Sequence, residues 1–183
     1  MIELLPFYLS TQDAIHATFA DVNLHKGTNV DDNRRYSYSL INSLVHVAAD
    51  YCIQQAFDHD KCVVLCTAST KESSLFADAV RTALYGRRHQ YERAYEMITQ
   101  LDLYGHRVIV QNQPGIFIGS IPTVRSDVIE CDRMLTYFPI AASEVVSISK
   151  RSTELVLFEP VNAEATYYRT YINSVKKLYT VMK

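Results

Sequence analysis

The residues best suited to chemistry in this 183-residue chain gather in one place, Cys66-Thr67-Ala68-Ser69-Thr70-Lys71. An apolar run of β-formers, Cys62-Val63-Val64-Leu65-Cys66, leads into it, and a helical pattern follows. A strand that feeds a helix N-terminus offers free backbone N–H groups, hydroxyls and the positive end of a dipole, which together hold anions and phosphates. The same dipole lowers the pKa of a nearby thiol, as a nucleophilic cysteine requires. Cys66, Ser69, Thr70 and Lys71 are therefore the candidate anion-binding residues. No Gly-rich loop accompanies them and no Arg is spaced to clamp a phosphate, so Ser69 and Glu72 read equally as a capping box beside a structural cysteine.

Two basic, aromatic stretches are candidates for binding a macromolecule. One contributes Arg87, Arg88, Tyr91 and Arg93, the other Arg169, Lys176 and Lys177, with Tyr167 and Tyr171 close in sequence. Cations beside exposed rings suit a nucleic-acid backbone with stacked bases, or an acidic protein partner. The plain alternative is a solvated helix face. His46 and Asp50 lie one helical turn apart and can pair, which is half of a general-base arrangement, but no nucleophile accompanies them. His59, Cys62 and Cys66 are spaced like metal ligands, yet i and i+4 on a strand lie about 13 Å apart. Zinc needs each ligand about 2.3 Å from the ion, so no metal is expected. The sequence has no P-loop, no Gly-x-Gly-x-x-Gly and no nuclease-like carboxylate–lysine set, and no cofactor is expected.

Composition narrows the class. The formal net charge is −2, so no global field favours nucleic acid or a membrane surface. There are 13 Tyr and no Trp, and Tyr joins apolar area to a polar tip at interfaces and half-buried core edges. No apolar run approaches the roughly 20 residues of a membrane span. The opening Met1-Ile2-Glu3-Leu4-Leu5-Pro6-Phe7 lacks a basic leader, so a cytoplasmic location with Cys52, Cys62, Cys66 and Cys131 reduced is the expectation.

The elements that would position these residues follow from hydrophobic period. Leu4 to Leu9 reads as a short strand or extended lead-in, Asp13 to Val22 as a short helix and His25 to Asn33 as a loop. Arg34 to Phe57 reads as a long central helix with two apolar rows. Cys62 to Cys66 reads as a strand covered on both faces. A helix burying Leu75, Phe76, Ala79, Val80, Ala83 and Leu84 ends at Gly86, and another spans His89 to Leu101. The period then changes from 3.6 to 2. Strands are predicted at Val108–Val110, Ile116–Ile118, Met134–Phe138, Val145–Ile148 and Leu155–Phe158, the first two joined as a hairpin through Gln113-Pro114-Gly115. A closing helix starts near Val161 and buries Val161, Ala165, Tyr168, Ile172, Val175, Tyr179 and Met182. Helices followed by strands predict one α+β domain over residues 1–183, its helices packed on a mostly antiparallel sheet from the C-terminal half.

Pro6, Tyr8 and Leu9 fit a Pro-x-x-Tyr-Leu-like opening; Ser120, Pro122 and Val124 fit a Ser-Asp-Asn-Pro-Val-like turn. Phe138-Pro139-Ile140 fits a Phe-Pro-Leu/Ile element, and Asn162 or Asn173 an Asn in the closing helix. On these residues the chain resembles an uncharacterised bacterial family, a domain of unknown function. The Asp-Asn pair of that turn is absent here, and the resemblance implies an architecture but no chemistry. With no convergent catalytic set, the expected function is that of a non-catalytic interaction protein, of the kind found in viruses and mobile elements, with another protein as partner. The alternatives are a nucleic-acid binder using the basic helices, and a small-anion-binding protein or enzyme at Cys66–Lys71.

Overall fold

The computed structural model describes residues 1–7, 44–67, 71–87, 97–100, 110–120, 129–136, 142–161 and 166–182. Strand β1 spans Ile2–Phe7. Helix α1 is described over residues 44–53 and runs on as the π-helical turn Gln54–Asp58. Strand β2 (Cys62–Thr67) leads to helix α2 (Lys71–Gly86). Strands β3 (Ile98–Gln100), β4 (Val110–Gln111), β5 (Gly115–Ser120) and β6 (Ile129–Thr136) follow. Helix α3 (Ala142–Ile148), strand β7 (Ser152–Pro160) and helix α4 (Thr166–Met182) complete the order.

The sheet runs β1-β7-β6-β2-β5-β3, with β4 on the start of β6, and every pairing is parallel. Parallel sheets need both faces covered. Along β2, Val63 and Leu65 join a core made with α1 and α2, where Leu44, Ala48, Cys52, Phe76, Val80 and Leu84 are buried. Cys62, Val64 and Cys66 point the other way, into a core with Val145, Val146 and Ile148 of α3 and Ile172, Val175 and Tyr179 of α4. The two-residue period of a strand thus builds a three-layer α/β sandwich with β2 at its centre. All six residues of β2 are buried, as its continuous apolar run requires. In β6 the alternation changes phase: Ile129, Cys131 and Met134 share one core while Leu135 joins the other. At that point the Asp132 carboxylate accepts the Cys62 N–H at 2.8 Å.

This architecture corrects the expected α+β fold with its antiparallel sheet. The predicted hairpin does not form, because β4 pairs with β6 and β5 with β2 and β3. Asn112 (φ 53°) and Gly115 (φ 149°) instead steer the chain into the sheet centre. A Cβ at Gly115 would stand 2.9 Å from the Met97 carbonyl oxygen, so glycine is needed for backbone approach as well as for its dihedral. Val145–Ile148 is helical: its β-branched residues suggest a strand, but Ser149 and Ser152 bond back to Val146 and Ser149 carbonyls and close a helix end. The predicted helix over His89 to Leu101 ends differently, with Ile98–Gln100 in strand β3. The sheet also takes β1 and β2 from the first half of the chain, and no described helix exceeds the 17 residues of α4. The predicted elements at 13–22 and 25–33, and the start of the long helix, lie outside the described residues.

Candidate functional site at the carboxyl edge of the sheet

Since the strands are parallel, their carboxyl ends lie along one edge. The crossover after β2 places α2 on one face, and the crossover after β6 places α3 on the other. β2 and β6 are neighbours, so the chain's path diverges between their ends. In open α/β sheets that divergence opens a crevice where ligands bind. Cys66 and Thr67 stand at the end of β2, and Thr136 at the end of β6. Thr136 is only 2% exposed, and its hydroxyl has no hydrogen-bond partner among the described residues.

Of the predicted anion-binding set, the described residues include Cys66 and the backbone of Lys71. Cys66 pairs in register with Thr136 and Gly119, and its side chain is fully buried on the α3/α4 face. The thiol is therefore not presented to solvent as a nucleophile. Lys71 opens α2, while Ser69 and Thr70 lie outside the described residues. The other cysteines are buried too. Burial pushes the Cys52 thiol up to about 12. Burial, and next the nearby Asp132 carboxylate, push Cys62 up to about 12. Cys131 moves the same way, chiefly through burial. Among the described residues no three His, Cys, Asp or Glu side chains group as metal ligands.

Farther along the same edge, where β7 ends and α4 begins, is an open cleft of about 410 Å³. Glu159, Pro160 and Val161 form one wall; Arg169, Ile172, Asn173 and Lys176 form the other. Arg169, Asn173 and Lys176 fall at i, i+4 and i+7, which aligns them on one helix face. Ile172 is buried at the boundary of that stripe, and Val161 is 43% exposed, large for an apolar side chain on this surface. Val161 was expected on the buried row of the closing helix; it stands instead before the helix, whose described start is Thr166. Among the described residues, Glu159, Arg169 and Lys176 form no ion pairs with one another. Two of the three predicted cations of the last helix thus converge on a cleft, and Lys177 is exposed beside them. Sequence reasoning missed Glu159 and Asn173. The i, i+4, i+7 stripe was readable for Asn173, whereas nothing local marks Glu159.

The other predicted surface is engaged differently. Arg87 forms an ion pair with Asp50, tying the end of α2 to α1 and replacing the predicted His46–Asp50 pair. Arg88, Tyr91 and Arg93 lie outside the described residues. Of the tyrosines whose side chains are described, Tyr51 and Tyr179 are buried and Tyr85 and Tyr171 half-buried, so they form no exposed aromatic patch.

At the opposite, amino end of the sheet, the Glu3 carboxyl of β1 lies beside that of Glu154 of β7. The Tyr51 hydroxyl donates to Glu3 at 3.1 Å, and Arg133 stands 3.5 Å from Glu154. Burial first, then the Glu154 contact, hold the Glu3 carboxyl above its ordinary range. No helix among the described residues is long and apolar enough to cross a membrane.

Comparison with protein-family profiles, with curated proteins and with solved structures finds no match to this chain.

Proposed function

We propose that this chain binds a small anionic molecule in the cleft between the end of β7 and α4, with Arg169 and Lys176 as the anion-holding cations. The observation that carries this reading is the convergence of those two exposed cations on a cleft of about 410 Å³. Ligand pockets of about 300–1,000 Å³ at the carboxyl edge of an α/β sheet are the usual sites for small molecules. Asn173 between the cations adds donors and an acceptor, and Ile172 and Pro160 supply apolar walls. A long guanidinium and an ammonium two helical turns apart can close on one phosphate or carboxylate group from either side.

The test is titration of the intact protein with inorganic phosphate, followed by amide chemical shifts and calorimetry at low salt. Saturable shifts clustered at Glu159–Val161 and Arg169–Lys176 are expected, weakened at least tenfold by Arg169→Glu. Absence of saturable binding at low salt overturns the reading.

A second reading keeps a nucleic-acid strand as the anion, favoured by the exposed Lys177 beside Lys176. It requires binding of single-stranded RNA or DNA that falls steeply with salt. Lys176→Glu with Lys177→Glu should then abolish binding and leave the fold intact.

A further inference from the structure

The cleft that holds Arg169 and Lys176 also holds a carboxylate. Glu159, at the end of β7, lines the same space, and it forms no ion pair with either cation among the described residues. A site that received only an anion would be weakened by such a carboxylate, because like charges in one small cleft repel. A surface acid whose only purpose was to quench the two cations would pair with one of them. An acid and two cations on facing walls, mutually unpaired, form a dipolar site. Such a site matches a ligand with charges of both signs a few ångströms apart.

We propose that the ligand is a small zwitterion: a phosphate or carboxylate held by Arg169 and Lys176, joined by a short linker to an ammonium held by Glu159. This rests on the anion reading above and specifies its ligand class. The walls agree with it. Asn173 can donate to the anion, while Pro160, Val161 and Ile172 give apolar surface suited to a short methylene linker. The 43% exposure of Val161 leaves its side chain open to such a linker. Specificity would arise at Glu159, since a ligand lacking the ammonium leaves that carboxylate facing an anion without compensation.

Phosphoethanolamine serves as the probe, with inorganic phosphate and ethanolamine as its single-charge halves. Each is titrated into the intact protein at low salt. Phosphoethanolamine should bind at least tenfold tighter than phosphate, and Glu159→Gln should remove that advantage while leaving phosphate affinity equal or higher. Glu159 is half-buried on a strand end, so a melting curve confirms that the variant is folded. Equal affinity of phosphate and phosphoethanolamine overturns the zwitterion proposal and leaves the anion reading standing. A preference for phosphoethanolamine that persists in Glu159→Gln overturns it as well. Absence of saturable phosphate binding defeats the anion reading itself, and with it this proposal, whatever phosphoethanolamine does.

Discussion

At the scale of single residues, the protonation states are set mainly by burial. Cys52 and Cys62 carry thiols raised to about 12, and all four cysteines are buried, so thiolate is scarce and reagents are excluded. Iodoacetamide at pH 8 should therefore leave the native protein unmodified, and add four groups in denaturant, as read by intact mass. Glu3 follows the same rule for a carboxyl: burial, and next the neighbouring Glu154 carboxylate, favour its protonated form. A carboxyl whose folded pKa is raised contributes stability below its unfolded value, about 4.3. That contribution is lost as pH rises through the folded value. Stability should fall from about pH 4.3 upward, and Glu3→Gln should flatten that fall, as followed by urea midpoints across pH. Gly115→Ala should destabilise by about 1–3 kcal/mol, the usual size of local backbone strain, measured by denaturant unfolding. Residue-level facts of this kind were partly legible in sequence. The burial of Cys62 and Cys66 followed from their apolar run, whereas the Glu3–Glu154 contact joins residues 151 positions apart that only the β1–β7 pairing brings together.

At the scale of elements, α4 separates two tasks along one helix. Ile172, Val175 and Tyr179 pack against the sheet and α3, while Arg169, Asn173 and Lys176 face the cleft. Ile172→Ala should cost about 2–5 kcal/mol and lower the melting temperature markedly, as core truncations do. Lys176→Glu should leave the melting temperature nearly unchanged, as exposed substitutions do. The buried row of α4 was readable from its period over 17 residues. The seven-residue α3 was not, because two turns are too short for a 3.6 period to outweigh Val145, Val146 and Ile148. Strand direction was misread for a related reason. Gln113-Pro114-Gly115 is a strong local turn, and local chemistry cannot report that the strands on either side pair with different partners. The one segment whose composition did declare a parallel sheet was β2, apolar throughout and therefore covered on both faces.

At the scale of the whole molecule, the order β1-β7-β6-β2-β5-β3 makes β2 and β6 the interior and β1 and β3 the rims. Amide hydrogen exchange should be slowest in β2 and fastest in β3, with protection decreasing outward across the sheet, since rim strands open without disturbing the centre. Equal protection in β3 and β2 would contradict this topology. The carboxyl-edge cleft was invisible in the sequence because its walls come from β7 and α4 as they are packed, not as they are spelled. The same strand order bears on how the protein is made. Cys62–Thr67 leaves the ribosome long before its neighbours, as β5 begins at Gly115 and β6 ends at Thr136. At 5–20 residues per second the roughly 70 residues between β2 and the end of β6 take about 4–14 s to synthesise. For that interval β2, apolar throughout, lacks at least one of its two neighbours, so chaperones that shield extended hydrophobic segments should find their principal site there.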